Sequence, residues 1–104
     1  MISIKTTLLV LVYLAPEHRN LLSDRFELLY APNEGLGVDR SNGQEQINLR
    51  GEEIEFVLTN GANGLLPIEI DAMPKLKLIC SLGVGFENVA IEHARRCGIP
   101  VCNA

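Results

Sequence analysis

The apolar residues of this chain fall into short continuous runs, rich in Leu, Val and Ile, instead of alternating with polar residues. Continuous runs of this length are typical of strands that are covered on both faces in a parallel sheet. Five runs predict five strands, and these are Thr7–Leu14, Phe26–Tyr30, Glu55–Thr59, Leu76–Leu82 and Ile99–Cys102. Each strand of such a sheet needs a crossover segment to reach the next one.

The segments between these runs are more polar and carry helix signals. They predict helices over Pro16–Arg25, Ser41–Arg50, Pro67–Met73 and Val89–Cys97, the first of them amphipathic. Pro67 suits a first helical turn, and Arg95, Arg96 and Gly98 are typical of a helix end. Residues 31–53 are mostly polar and contain four glycines, so a loop is the alternative to a helix there.

The alternation of strand and helix predicts an α/β fold with right-handed crossovers. The most plausible arrangement is a flavodoxin-like doubly wound sheet of about five parallel strands in the order 2-1-3-4-5. Ligands of such sheets bind beyond the carboxyl ends of the strands, near the point where the strand order reverses. Binding chemistry is therefore expected in three loops, Ala15–Arg19, Thr59–Gly64 and Gly83–Asn88.

Composition narrows the range of partners. A length of 104 residues predicts one domain over residues 1–104, and 47% hydrophobic residues suffice for a core. The 13 acidic and 9 basic residues give a net charge of −4, which argues against nucleic acid as a partner because phosphate backbones require a positive field. The apolar run Leu8–Ala15 is much shorter than the about 20 residues that span a bilayer, so no membrane segment is expected.

The cysteines indicate a reducing compartment. Cys80, Cys97 and Cys102 are odd in number and lie in apolar surroundings, which is typical of free thiols and predicts a cytoplasmic protein. His93 and Cys97 lie one helical turn apart, so a zinc set of His93, Cys97 and Cys102 is conceivable. Structural zinc usually takes four ligands and the chain has no CxxC pair, so we expect no metal site.

The loop after the fourth predicted strand contains the sequence Gly83-Val84-Gly85. Glycines let backbone amides approach a carboxylate or a phosphate closely, although a tight turn without a ligand is the alternative. The sequence begins like a G-x-G-x-x-G dinucleotide fingerprint, but Asn88 stands at the third glycine position. We therefore expect no cofactor-binding residues in this loop. In the other glycine loop, Asn60 and Asn63 either contact a substrate or simply form the turn.

The sequence lacks the residues required for several other functions of doubly wound α/β folds. A phospho-acceptor domain needs acidic residues where Thr59, Asn60, Leu14 and Ala15 stand. The loop that begins at Ala15 is not the Ser/Thr-rich phosphate loop of a flavin mononucleotide site, and the chain has neither a P-loop nor a G-x-S-x-G turn. His18 has no recognisable Ser or Cys nucleophile as a partner, so no catalytic residue is predicted.

Three segments between Phe56 and Asn103 together resemble a known family. They read FVLTNGANG, IDAMPKLKLICSLGVGFENV and EHARRCGIPVCN, in this order. They are similar to the N-terminal substrate-binding lobe of the D-isomer-specific 2-hydroxyacid dehydrogenases, and most similar to the glyoxylate and hydroxypyruvate reductases among them. The resemblance implies a full-length enzyme that reduces 2-oxo acids such as glyoxylate or hydroxypyruvate with NAD or NADP as the cofactor.

The resemblance also implies which residues bind the substrate. The backbone amides of Val84 and Gly85, in the loop that starts at Leu82, would bind the carboxylate of a small 2-oxo or 2-hydroxy acid. Asn60 and Gly61 would line the same cleft. Position 90 is Ala where the family commonly has Asp, so the following helix lacks a cap unless Asn88 supplies one.

The resemblance further implies what this chain lacks. The family's carboxylate-gripping arginine, its histidine–glutamate pair and its Rossmann cofactor domain all lie beyond the last residue here. We therefore expect the chain alone to be inactive and to bind no cofactor, and we expect its uncovered apolar surface to form a homodimer. The alternative is a stand-alone flavodoxin-like ligand-binding or interaction module without catalysis.

Overall fold

A computed structural model describes residues 5–32, 40–83 and 85–103 of the chain. These residues form a five-stranded parallel sheet in the order β2-β1-β3-β4-β5, which confirms the predicted fold class and strand order. The elements are β1 Thr6–Val10, α1 Pro16–Arg25, β2 Phe26–Tyr30, α2 Ser41–Arg50, a 3-10 turn Gly51–Glu53, β3 Ile54–Asn60, α3 Pro67–Asp71, β4 Leu78–Leu82, α4 Ile91–Arg96 and β5 Val101–Asn103.

The strand β1 is shorter than the apolar run predicted. Hydrogen bonding continues only to Leu11, whose N–H donates to the Leu58 carbonyl at 2.8 Å. Leu11 and Val12 are nevertheless buried, at 4% exposure each. The predicted end at Leu14 was therefore wrong, because an apolar run records burial and the chain leaves the sheet before it leaves the core.

The helix α4 begins two residues later than predicted. Val89 forms an isolated parallel bridge with Leu65, and the Ala90 N–H donates to the Leu65 carbonyl at 2.9 Å. This pairing keeps Val89 and Ala90 out of the helix, so the helix starts only at Ile91. The helix α3 likewise ends at Asp71 instead of Met73, while Met73 stays buried.

The two faces of the sheet are covered differently. One face, here called the closed face, packs against α2, α3 and α4 and holds the larger buried cluster, including Leu9, Ile54, Val57 and Ile79. The other, here called the open face, holds a smaller cluster with three buried hydrophobic residues among those described, which are Leu8, Val10 and Val12. The side chains around these three on the open face are only partly buried. The two faces of this sheet are therefore covered unequally in the described residues.

The helix α1 covers little of the open face. It runs over the predicted residues, but none of its residues is buried, and Leu21 is 63% exposed. The prediction that it is amphipathic was therefore wrong. Its contribution to the open face comes mainly from Leu22, which packs on the partly buried cluster. In the described part of the chain, no helix has the length and apolar character needed to cross a membrane.

Candidate functional site

Two glycine-containing loops lie side by side at the carboxyl ends of the neighbouring strands β3 and β4. Thr59 pairs with Ser81 and Asn60 pairs with Leu82 in the last two register positions of these strands. The chain leaves β3 through residues 61–64, here called the β3 loop, and leaves β4 through residues 83 and 85–88, here called the β4 loop. Two of the three loops selected from the sequence therefore meet at one edge of the sheet.

Hydrogen bonds join the two loops directly. The Asn88 N–H donates to the Gly61 carbonyl at 3.1 Å, and its side-chain amide donates to the Ala62 carbonyl at 3.2 Å. The Leu65 N–H donates back to the Asn88 carbonyl at 2.9 Å. These bonds make the two loops one unit, so a ligand at the β4 loop also meets the β3 loop.

A buried hydroxyl at the end of each strand holds the loop that follows. Thr59 donates from its Oγ1 to the Gly64 carbonyl at 2.8 Å, and Ser81 donates from its Oγ to the Gly85 carbonyl at 3.1 Å. Both side chains are completely buried, and the two residues are register partners. The sequence reasoning missed them as positioning residues. The available signal was a hydroxyl at the last inward position of two adjacent apolar strands.

The β3 loop is also shaped by its asparagines. The Asn60 side-chain oxygen accepts a hydrogen bond from the Asn63 N–H at 2.7 Å, and the Asn63 side-chain amide donates to the Leu11 carbonyl at 2.8 Å. These bonds form the turn, which was the alternative role for the asparagines. Gly64 closes the loop with a φ of 65°, a conformation that favours glycine, and a β-carbon there would overlap Asn88.

Gly61, Gly85 and the Glu87 carboxylate lie against one another. A β-carbon added at either glycine would overlap the side-chain oxygens of Glu87, so this carboxylate lies against both loops. Glu87 is exposed, whereas Gly61 is buried and Gly85 is half-buried. The space beside the two glycines therefore accommodates a carboxylate group, and Glu87 places its own negative charge there. Val84 lies outside the described residues, and Leu82 is half-buried at the end of β4.

A buried ion pair supports the β3 loop from the side. Arg40 donates from one guanidinium nitrogen to the Asn63 carbonyl at 2.8 Å and from the other to the Glu69 carboxylate at 2.5 Å. Glu69 also accepts the Leu66 N–H at 2.9 Å. Exposures of 16% for Arg40 and 5% for Glu69 make this pair part of the interior. Sequence reasoning missed it because the partners of Arg40 lie 23 and 29 residues away.

The third selected loop forms a different environment. Arg19, at the start of α1, places its guanidinium 4.5 Å from the centre of the Tyr30 ring, and the Tyr30 hydroxyl accepts the Leu14 N–H at 2.9 Å. His18 is exposed beside it. These contacts show that Arg19 and Leu14 pack against Tyr30 of β2. None of them involves His18.

The thiols are free, as expected from the sequence. Cys80 on β4 and Cys102 on β5 are register partners, and burial, followed by hydrogen bonding to Cys102, raises the pKa of the Cys80 thiol. His93 and Cys97 do come together, but with Asp71 rather than Cys102 as the third metal-ligating residue.

Comparisons with known proteins agree with this fold. The family model for the D-isomer specific 2-hydroxyacid dehydrogenase catalytic domain matches residues 9–104. A Staphylococcus haemolyticus protein whose name assigns it to the 2-hydroxyacid dehydrogenases is 32% identical over 84 residues, covering 81% of this chain and 25% of its own length. The chain thus spans about a quarter of the length of the curated relatives it matches.

Solved structures show the same similarity. The 2-hydroxyacid dehydrogenase of Ketogulonicigenium vulgare Y25 superposes with a TM-score of 0.77 at 26% identity, covering 95% of this chain and 29% of its own. The NADPH-dependent glyoxylate/hydroxypyruvate reductase of Sinorhizobium meliloti, solved with NADP and malonate, gives a TM-score of 0.61 at 23% identity and covers 96% of this chain and 28% of its own. At that identity the second likeness shows the fold alone. On the family match, the chain belongs to the D-isomer specific 2-hydroxyacid dehydrogenases, within their catalytic domain.

Proposed function

We propose that this chain is the substrate-binding lobe of an NAD(P)-dependent 2-hydroxyacid dehydrogenase that reduces small 2-oxo acids such as glyoxylate or hydroxypyruvate. The observation that carries the proposal is the pair of hydrogen-bonded glycine loops at the carboxyl ends of β3 and β4. This is the edge where open α/β sheets bind their ligands. The family membership supplies the class of reaction.

The substrate carboxylate binds at the β4 loop in this proposal. The backbone amides of Val84 and Gly85 donate to it, while Leu82, Asn60 and Gly61 line the cleft. Backbone amides suit this role because they supply donors without a charged side chain, in a chain whose net charge is −4. The hydroxyls of Thr59 and Ser81 hold both loops in place beforehand, which lowers the entropy lost on binding.

Glu87 opposes an anionic substrate in this arrangement. Its carboxylate lies against Gly61 and Gly85, so an incoming carboxylate displaces it or experiences its repulsion. Because Glu87 is exposed, its side chain can rotate into solvent at little cost. Removal of its charge is therefore expected to strengthen the binding of 2-oxo acids.

The chain by itself is proposed to bind substrate without turning it over. Reduction needs a hydride donor and a proton donor, and in this proposal both come from the cofactor and the residues of a separate Rossmann domain. NAD or NADP therefore belongs to the full-length enzyme, and no cofactor is expected on this chain. The free thiols fit the reducing cytoplasm that the proposal assigns to it.

The open face is proposed to bind a second copy of the chain. Its partly buried apolar side chains include Phe56, Leu58 and Leu82. Apolar surface of this kind promotes self-association when nothing else covers it. Light scattering is expected to give the mass of a homodimer, and a monomer at high concentration would contradict this part of the proposal.

An amide-resolved NMR titration of the 104-residue chain with glyoxylate, and with oxalate as a non-reducible analogue, tests the substrate site. The amides of Gly85, Val84 and Gly61 are expected to shift. The variant Glu87→Gln is expected to bind both anions about threefold more tightly, while Glu45→Gln, an exposed acidic residue on α2, serves as the control and leaves binding unchanged. Shifts confined to other regions would overturn the site.

A turnover assay tests separately whether this chain binds the substrate without catalysing its reduction. The purified chain is expected to oxidise neither NADH nor NADPH in the presence of glyoxylate or hydroxypyruvate. Measurable turnover would contradict the substrate-lobe proposal, even if the titration located the anion at the β4 loop. A chain that neither binds 2-oxo acids nor turns them over would favour the stand-alone interaction module.

A further inference from the structure

Three metal-ligating side chains meet where the end of α3 packs against α4. They are the Asp71 carboxylate, the His93 imidazole and the Cys97 thiol, and their ligand atoms all lie within 4.8 Å of one another. Asp71 is the last residue of α3, while His93 lies on α4 and Cys97 follows its last residue. The spacing of His93 and Cys97, one helical turn, places both on the same side of α4.

The donor set matches the preferences of zinc. Zn²⁺ accepts nitrogen, oxygen and sulfur together, with bonds of about 2.0–2.3 Å. Ideal tetrahedral geometry then places two ligand atoms about 3.3–3.6 Å apart. Ligand atoms that already lie within 4.8 Å therefore need only small side-chain rotations to reach that spacing.

One contact must lengthen for the ion to enter. His93 Nε2 and Asp71 Oδ1 now form a hydrogen bond of 2.6 Å, which is about 0.7 Å shorter than the spacing around a zinc ion. Asp71 is 61% exposed, so its carboxylate can rotate away without disturbing the core. His93 is half-buried, at 28% exposure, so its ring is held more firmly than the Asp71 carboxylate.

The charges of the site balance. A carboxylate and a thiolate together neutralise Zn²⁺, and the imidazole binds in its neutral form. Zn²⁺ binds cysteine as the thiolate, so the ion displaces the proton of the Cys97 thiol. Because Asp71 and Cys97 are exposed, the ion has an entry path and a water molecule can take the fourth position.

We propose that Asp71, His93 and Cys97 bind one Zn²⁺ ion, with water as the fourth ligand. The ion joins the end of α3 to α4 on the closed side of the sheet. This departs from the sequence analysis, which led us to expect no metal site and had considered Cys102 in place of Asp71. The residue that completes the set lies 22 positions before His93, which only the packing of α3 on α4 reveals.

Cobalt substitution and calorimetry test the site in the full 104-residue chain after treatment with a chelator. Co²⁺ is expected to produce a thiolate-to-cobalt charge-transfer band and tetrahedral d–d absorption, and Zn²⁺ is expected to displace it. Calorimetry with Zn²⁺ is expected to show one ion per chain. The absence of a thiolate band would overturn the proposal.

Matched variants decide which residues are ligands. Cys97→Ser is expected to abolish the charge-transfer band, and both Cys97→Ser and His93→Gln are expected to weaken Zn²⁺ binding by about tenfold or more, since even outer-shell partners contribute that much. The controls Cys102→Ser and His18→Gln are expected to retain the band and the affinity. Equal losses in the controls, or unchanged affinity in Cys97→Ser, would overturn the assignment.

A stability measurement distinguishes the loss of a zinc ligand from misfolding of the variant. The side chains involved are exposed or half-buried, so the variants are expected to fold, which circular dichroism checks. Zn²⁺ is expected to raise the melting temperature of the wild type and of Asp71→Glu, which keeps a carboxylate ligand, but not that of Cys97→Ser. Equal stabilisation of the wild type and Cys97→Ser by Zn²⁺ would show that the ion binds elsewhere.

Discussion

The closed and open faces of the sheet use similar residues and reach different degrees of burial. On the closed face Ile54, Val57 and Ile79 are at most 1% exposed, because α2, α3 and α4 pack over them. On the open face Phe56 and Leu58, from the same strand β3, remain partly exposed beneath α1. An apolar strand residue therefore indicates that a position suits burial, whereas the covering element decides whether burial occurs.

The largest expected effect comes from truncating one aliphatic side chain on each face. Ile79→Ala on the closed face is expected to lower the free energy of unfolding by about 4 kcal/mol, because it removes buried methyl groups and leaves a cavity. Leu58→Ala on the open face is expected to cost about 1–2 kcal/mol, since that site is only half-buried. Urea unfolding measures both. Equal losses would remove the distinction between the faces.

The next effect concerns ion pairs at different depths. Arg40→Ala is expected to lower the free energy of unfolding by about 2–3 kcal/mol, because it leaves the buried Glu69 carboxylate without its cation. Arg50→Ala breaks the exposed bonds to Glu53 and Glu27 and is expected to cost at most about 0.5 kcal/mol. The same urea titration compares them, and a larger loss in Arg50→Ala would contradict the depth argument.

A smaller effect on stability is expected from changing the helix caps of α3 and α4, the two short helices of the closed face. The start of α3 is held by the Glu69 carboxylate, which accepts the Leu66 N–H, whereas Ala90, the residue before α4, provides no side-chain cap. Ala90→Asp is therefore expected to stabilise the protein by about 1 kcal/mol. Thermal melts measure the gain.

Ala90→Asn is the matched control for that change. It supplies a cap without a charge and is expected to keep most of the gain. Asn88 does not already fill this role, since its side-chain amide donates to the Ala62 carbonyl. A melting temperature unchanged in both variants would contradict the missing cap.

The smallest effect concerns Cys80, half-buried on the open face. Burial raises the pKa of its thiol in the folded protein, so the folded state retains the proton to a higher pH than the unfolded state. Its contribution to stability is present below the unfolded thiol pKa, about 8.5, and is lost as the pH rises through the folded value.

Unfolding measured across this alkaline range checks the sign. Cys80→Ser is expected to remove part of the alkaline loss of stability, while Cys97→Ser, whose thiol is exposed, serves as the control. Thiol labelling of the wild type is expected to modify Cys97 and Cys102 before Cys80. If Cys80 were labelled first, its thiol would be accessible to the reagent, and the partial burial of Cys80 would be contradicted.

Local patterns were sufficient for most of the elements. The bounds of α1, β2 and α2 agree with the prediction, and α1 begins at a proline while β2 begins where the chain changes from polar to apolar. The predictions failed where distant residues interact. Val89 pairs with Leu65 instead of joining α4, and Leu11 is buried without being part of β1.

The candidate site shows the same division. Glycine-rich sequences at strand ends were enough to select the β3 and β4 loops, since glycine has a local conformational reason to be there. The supports of these loops are not local, because Arg40 bonds to Asn63 and Glu69 across more than twenty residues. Glu87 was likewise not selected, although its carboxylate lies against Gly61 and Gly85.

The sequence by itself determined the alternation of strand and helix, the parallel sheet and the two glycine loops, because these follow from periodicity, proline and glycine within short segments. The tertiary structure alone decided which face of the sheet is covered, which side chains hold the loops and which residue joins His93 and Cys97. The physical reason is distance along the chain. Packing brings together groups such as Asp71 and His93, whose separation in sequence carries no periodic signal.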